Sequence, residues 1–506
     1  MSPLLILSII GGYFLFLMII SYVTSKGSQS EDFFVGGRQS PWYIVAFGMI
    51  GATLSGVTFI SIPGFVGDSK FSYMQVVLGY IVGYIIIAFV LMPMYYRLRL
   101  TSIYTYLEKR FGWRAYKTGA AYFLLSRSIG AAFRLFLVAI VLQQFLMQPF
   151  GVPFAATILF TIGLIWIYTF RGGIKTIVWT DTLQTASMLI AVIATIIVLG
   201  REMNLGAWEI VETVRQSELS QIWFFEGGWS DSENFFKQFL SGIFITIVMT
   251  GLDQDMMQKN LSCRNLRDAQ KNMMTMTGVL VLANLLFLSL GVLLYLYTAQ
   301  IGLEMPTRIV NGEAKAASDL LYPTLALGYL SPAVGIVFLI GLIAAAYSSA
   351  DSALTALTTS FCIDFLGFEK SALSEGQKRK RRLWVHLGFS FLLFLIIMIF
   401  YYLNDQAVIK ALFRIAGYTY GPLLGLYAFG FFINRKSNDK FIPLVCILAP
   451  LISLLIDTFS DQLLWGYKFG FEILILNGII TFLGLWLFSR PEQTDSSLLS
   501  SHAVKS

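Results

Sequence analysis

Histidine and cysteine are nearly absent from this 506-residue chain, two of the first and three of the second. Cys263, Cys362 and Cys446 are scattered without paired spacing, which excludes a disulfide framework or a thiolate metal cluster. His386 and His502 leave too little imidazole for a His-based triad or metal centre. Charge is scarce as well, at 13% of residues. A large soluble core is built from amphipathic elements, whereas residues 188–199 and 391–403 offer almost no polar face.

What is present is apolar: 56% of the residues are hydrophobic, in runs long enough to cross a bilayer. The chain therefore reads as an all-α polytopic membrane protein. Thirteen spans are expected, at 3–24, 41–66, 71–97, 117–148, 152–170, 174–200, 236–258, 270–299, 332–366, 381–403, 407–434, 440–460 and 467–489. The first run lacks the basic segment and small-residue cleavage site of a signal peptide, so it counts as a span.

The basic residues test that count. Arg97, Arg99, Lys109, Arg110, Arg114 and Lys117 share one connector, and Arg171 with Lys175 the next on the same side. Lys259, Arg264, Arg267 and Lys271 follow, then the cluster Lys370, Lys378, Arg379, Lys380, Arg381 and Arg382, then Arg435, Lys436 and Lys440. The connector 201–233 has seven acidic and two basic residues. Alternation of this kind places the N-terminus outside and the C-terminus in the cytoplasm. It also explains the net charge of +7 without a nucleic-acid partner. Residues 491–506 are polar and Ser-rich and are expected to be a disordered cytoplasmic tail.

Two spans carry interruption signals. Residues 48–58 pack three glycines (Gly48, Gly51, Gly56) and three hydroxyls (Thr53, Ser55, Thr58) into eleven positions, with Pro63-Gly64 following. In the seventh span, Thr246, Thr250 and Gly251 precede Asp253-Gln-Asp255. Non-helical backbone at membrane depth belongs where it lines a cavity or holds a ligand, although glycines also serve close helix packing.

The ninth span is the most polar. In AAAYSSADSALTALTTS (344–360), Ala345, Ser348, Ser349, Ser352, Thr355 and Thr359 follow helical spacing, and Asp351 with Thr358 widens that face. An intramembrane carboxylate costs about 2.5 to 3.5 kcal/mol on insertion scales. Hydroxyl, carbonyl and carboxylate oxygens form an environment for a hard cation, Na⁺ or H⁺. Asp181, flanked by Thr180, Thr182 and Gln184 in the sixth span, is a second acidic position, read either as part of the same region or as a helix-end residue. Arg127 and Arg134 lie on one face of the fourth span, to pair with an acid such as Asp181, to clamp a substrate carboxylate or to snorkel to a surface.

With these residues in view, the chain resembles the sodium:solute symporter family, whose members carry sugars, sialic acid, proline, pantothenate or iodide. The resemblance runs from about residue 4 to 433, on EDFFVGGRQSPW (31–42), ATLSGVTFISIPG (52–64), RGGIKTIVWTDTLQ (171–184), GLDQDMMQKNLS (251–262) and AAAYSSADSALTA (344–356). It implies a LeuT-like five-plus-five inverted repeat. One extra helix (3–24) would precede the repeats at 41–200 and 236–434, and two would follow at 440–489, within one transmembrane domain, 1–490. It implies a shared Na⁺ site at Gly51, Leu54, Ala345, Ser348 and Ser349. A second Na⁺, held by Asp181, Ser348, Asp351 and Ser352, is implied in two-sodium members, where Asp351 replaces a serine of some relatives. The substrate would contact Ser55, Thr58, Gln75, Thr246, Thr250 and Tyr418. Arg127 lies nearer than Arg134 to the arginine that grips a carboxylate in sialic-acid members.

The expected function is Na⁺-coupled import of a small polar organic solute across the cell membrane by alternating access, with one or two Na⁺ ions as co-substrate. A proton-coupled symporter using Asp351 is the alternative within transport. A membrane sensor would need an output domain that the connectors do not hold, and an intramembrane hydrolase using Asp181 with Asp351 would need a water-accessible pair and a histidine. No enzyme is expected. The solute and the oligomeric state are not legible.

Overall fold

The computed structural model describes residues 3–25, 38–310, 313–403 and 408–491. The first seven residues of EDFFVGGRQSPW and residues 492–506 of the expected tail lie outside them. Helices dominate because the apolar runs must satisfy every backbone group internally.

The helices that build the body are α1 (Pro3–Ser25), α2 (Trp42–Thr53), α3 (Gly56–Ser69), α4 (Tyr73–Arg97), α5 (Trp113–Phe150), α6 (Phe154–Glu202), α7 (Phe235–Gly251) and α8 (Gln254–Leu261). They continue with α9 (Leu266–Gln300), α10 (Pro332–Phe365), α11 (Glu375–Leu403), α12 (Val408–Phe432), α13 (Ile442–Thr458) and α14 (Ile473–Leu487). Among the described residues, six helices are long and apolar enough to cross a bilayer, and the pairs α2–α3 and α7–α8 qualify when each pair is taken together. Both pairs are the spans with interruption signals. They bend by 55° and 64°.

Helix α6 takes in both of the expected spans 152–170 and 174–200. The two halves nonetheless remain separate passes. Thr161 meets the Tyr347 hydroxyl and Asp181 meets the adjacent Ser348. Twenty residues of straight helix would separate Thr161 from Asp181 by about 30 Å. The chain therefore doubles back between its apolar segment Phe154–Ile167 and the span Thr176–Glu202.

Helix α10 sits at the centre, against α6, α5, α11 and both halves of the first broken pair. Within its most apolar window 78% of residues are buried, against 22% for α11. A hydroxyl-rich helix is tolerated because it is enclosed by protein, while α11 presents Leu387, Phe391, Leu395 and Ile399 outward. Two short antiparallel ribbons, Thr307–Val310 with Glu313–Ala316 and Arg435–Ser437 with Ser489–Pro491, complete the connectors.

Candidate functional site

The first break is set by backbone chemistry. Leu54 takes φ −80° and ψ 85° and Ser55 takes φ −83° and ψ 179°, both outside the helical region. The Ser55 amide donates to the Thr53 carbonyl at 3.1 Å rather than back to Gly51, and the second half resumes with Phe59 donating to Ser55 at 3.0 Å. The carbonyls of Gly51 and Leu54 are thereby left outside both helical ladders, as oxygen dipoles at membrane depth.

Helix α10 supplies the facing wall. Ser349 Oγ donates to the Ala52 carbonyl across 3.5 Å, and Ser348 Oγ donates to Asp181 Oδ1 at 2.7 Å. Ala345, Ser348 and Ser349 are buried with Gly51 and Leu54. Gly51 is required by close approach: an added Cβ would lie 2.3 Å from Thr185 Oγ1 and 3.2 Å from Ser348 Oγ. Across α2 and α10, Gly51 therefore faces Ser348 and Ala52 faces Ser349, with Leu54 and Ala345 buried nearby in the chain.

The expected second set is divided. Asp181 pairs through Oδ2 with Lys259 of α8 at 2.6 Å, both side chains buried. Ser352 Oγ instead donates to Asp255 Oδ1 at 2.6 Å. Asp351 is buried on the side of α10 that faces α1, within electrostatic reach of Tyr13. Of the four residues, Asp181 and Ser348 are in contact, while Ser352 turns to Asp255 and Asp181 already has a local ammonium as its positive partner.

The charges of the fourth span also sort differently from the sequence reading. Arg127 is ion-paired with Asp255, not with Asp181. Arg134 has no ion pair among the described residues, and its Nε finds no hydrogen-bond partner. Both arginines line a cavity of about 80 Å³ beside the first break. Ser55, Thr58, Thr246 and Thr250 line the same cavity, with Tyr73, Tyr80, Tyr84 and Asn284.

Gln75 and Tyr418 do not. Gln75 Nε2 donates to the Glu233 carbonyl at 2.9 Å, and its Oε1 accepts from the Phe224 amide at 3.3 Å, which ties the side chain to the 201–233 connector. The Tyr418 hydroxyl donates to Asp457, which also holds Arg414 at 2.8 Å. Both lie outside the lining because polar partners elsewhere hold them.

The second break is the part that sequence reasoning undervalued. Asp253 caps α8 through the Asp255 and Met256 amides and accepts the Tyr420 hydroxyl at 2.7 Å. Tyr95 and Tyr104 donate to the freed Gly251 and Leu252 carbonyls at 2.9 and 3.0 Å. Lys259, read as a topogenic charge in a connector, is fully buried. The available signal was three charged residues within seven positions, Asp253 to Lys259, at the end of an apolar run.

A helix broken beside an enclosed hydroxyl stripe, with an adjoining polar cavity, defines a secondary transporter of the broken-helix kind. A family model described as the sodium:solute symporter family matches residues 33–439. Among curated relatives, the sodium/sialic acid symporter NanT of Aliivibrio fischeri is 26% identical over 444 residues, covering 85% of this chain and 83% of its own. The sodium/sialic acid symporter SiaT of Proteus mirabilis is 24% identical and covers 94% of each chain. A solved structure of a Na⁺-coupled sialic acid symporter superposes with a TM-score of 0.80 at 20% identity, over 96% of this chain and 99% of that one. A second, Mhp1 of the nucleobase-cation-symport-1 family, superposes at 0.56 and 13% identity, over 90% and 93% of the two chains. The chain belongs to the sodium:solute symporter family. It is a multi-pass membrane protein with a LeuT-like fold and a Na⁺-coupled solute symporter, not an enzyme.

Proposed function

We propose that the protein imports a small carboxylate-bearing polar solute, a sugar acid such as sialic acid, by alternating access across the cell membrane. It would do so through thirteen spans in a five-plus-five inverted repeat, N-terminus outside and C-terminus in the cytoplasm. The first repeat corresponds to α2 to α6 and the second to α7 to α12. The observation that carries the reading is the Ser349 hydroxyl reaching the Ala52 carbonyl at the first break, beside the free-standing Gly51 and Leu54 carbonyls.

The coupling ion would take the carbonyls of Gly51, Leu54 and Ala345 and the hydroxyls of Ser348 and Ser349. Na⁺ there joins α2 to α10 and fixes the bend that shapes the cavity, so the solute binds better with the ion in place. Such coupling is reciprocal and usually about 1 to 3 kcal/mol. When the ion leaves for the cytoplasm the joint loosens and the solute follows.

The anionic class rests on the two arginines. Arg127 is paired with Asp255, whereas Arg134 makes no ion pair among the described residues and presents a guanidinium suited to grip a carboxylate. Two relatives named as sodium/sialic acid symporters favour the same class.

The test is uptake of labelled N-acetylneuraminate and related sugar acids into proteoliposomes. An inward Na⁺ gradient is expected to raise uptake at least about tenfold over K⁺, and Arg134→Gln to reduce that uptake by roughly thirtyfold or more. Uptake indifferent to Na⁺ would overturn the coupling, and transport of neutral solutes alone would overturn the anionic class.

A further inference from the structure

Asp181 is a buried carboxylate whose donors are all supplied by this chain. Lys259 Nζ meets Oδ2 at 2.6 Å and Ser348 Oγ meets Oδ1 at 2.7 Å. With the Gln184 amide in the orientation that satisfies both of its ends, its nitrogen also reaches Oδ1 at 3.2 Å. Helix α2 closes over the pair, since a Cβ on Gly48 would lie 3.2 Å from Asp181 Cβ. A free cation entering here would meet an ammonium on the same carboxylate, and like charges repel strongly where little solvent separates them.

We propose that Lys259 is a tethered cation that stands at Asp181 in the place of a second Na⁺, so that the protein binds one Na⁺ only. The inference rests on the Na⁺ site proposed above. It also gives Asp181 a role in that site. By accepting the Ser348 proton it leaves only the Ser348 oxygen lone pairs to face the ion, and a hydroxyl turned this way is a ligand rather than a competitor. Because Lys259 belongs to α8, Asp181 to α6 and Ser348 to α10, the pair joins the second broken helix to the ion-binding helix without ligating the ion.

Lys259 is thus a positioning residue that sets the number of ions. Replacing it by a neutral residue leaves Asp181 buried without a cationic partner, and Na⁺ is the available replacement charge. The same replacement of an ordinary structural lysine would lower stability and leave the ion count unchanged.

The experiment is equilibrium binding of ²²Na⁺ to the purified full-length protein, with thermal unfolding at each Na⁺ concentration as the check on folding. The wild type is expected to bind one ion per chain with a hyperbolic isotherm. Lys259→Met is expected to bind two with a sigmoidal isotherm, and Lys259→Arg to keep one. The neutral double variant Asp181→Asn/Lys259→Gln is expected to keep one, weakened about tenfold by the reorientation of Ser348. Two ions in the wild type overturn the proposal, as does one ion in folded Lys259→Met. If Lys259→Met fails to fold, a folded double variant that binds none overturns it, because Asp181 would then itself be the ligand. A wild type that binds no Na⁺ overturns the site reading beneath it, a result separate from these.

Discussion

The two broken helices bend by similar angles, 55° and 64°, yet their freed backbone groups are handled in opposite ways. At the second break Tyr95 and Tyr104 donate to the Gly251 and Leu252 carbonyls, and Asp253, Asp255 and Lys259 all have partners within the chain. At the first break no charged residue stands in the interruption Thr53–Ser55 itself, the Gly51 and Leu54 carbonyls accept no helical amide, and Ser349 reaches the intervening Ala52 carbonyl only at 3.5 Å. An interruption filled by its own chain acts as a structural joint. One that leaves oxygens under-engaged is suited to an exchangeable ion.

That contrast can be broken from either side. The largest effect is expected at the second break, where Asp255→Asn leaves Arg127 buried without its ion partner and weakens the acceptor of Ser352. Loss of one partner of a buried pair costs about 3 to 5 kcal/mol, to be read as a fall in thermal stability of the purified protein with and without Na⁺. Next comes Arg134→Gln, expected to reduce sugar-acid uptake by roughly thirtyfold or more through loss of a buried charge contact while Na⁺ binding persists. Tyr104→Phe orphans the Leu252 carbonyl and is expected to lower stability by about 1 to 3 kcal/mol with no change in Na⁺ affinity. Ser349→Ala is expected to do the reverse, weakening Na⁺ about tenfold with little loss of stability. The smallest effect is expected from Tyr418→Phe, which removes one hydrogen bond to Asp457 outside the cavity. It should cost about 1 kcal/mol or less in thermal unfolding and leave solute affinity unchanged.

The first break was legible because glycine and hydroxyl residues cluster at Gly48–Thr58 in an otherwise apolar run, and helical spacing aligned Ser348 with Ser349. The positions of Asp181 and of both broken spans were legible for similar reasons. Which charges pair was not. Arg127 and Asp255 are 128 residues apart and Asp181 and Lys259 are 78 apart, and no local pattern distinguishes these pairings from their exchange. Lys259 also satisfied the charge-alternation rule as a connector residue, so its burial was hidden by a rule that it obeys. Gln75 and Tyr418 failed as lining residues because their hydrogen-bond partners, Glu233 and Asp457, lie in connectors or late helices that local sequence cannot place.

The central claim is that an exchangeable Na⁺ joins the first break to α10 while the second break is complete without one. Na⁺ titration of thermal unfolding, run side by side on the wild type, Ser349→Ala and Tyr104→Phe, tests it most directly, since a ligand stabilises according to its concentration over its dissociation constant. The wild type and Tyr104→Phe are expected to rise with Na⁺, not with K⁺, at the same midpoint, and Ser349→Ala at a midpoint about tenfold higher. A Ser349→Ala curve that overlays the wild type, or a Tyr104→Phe midpoint that moves instead, would contradict the account.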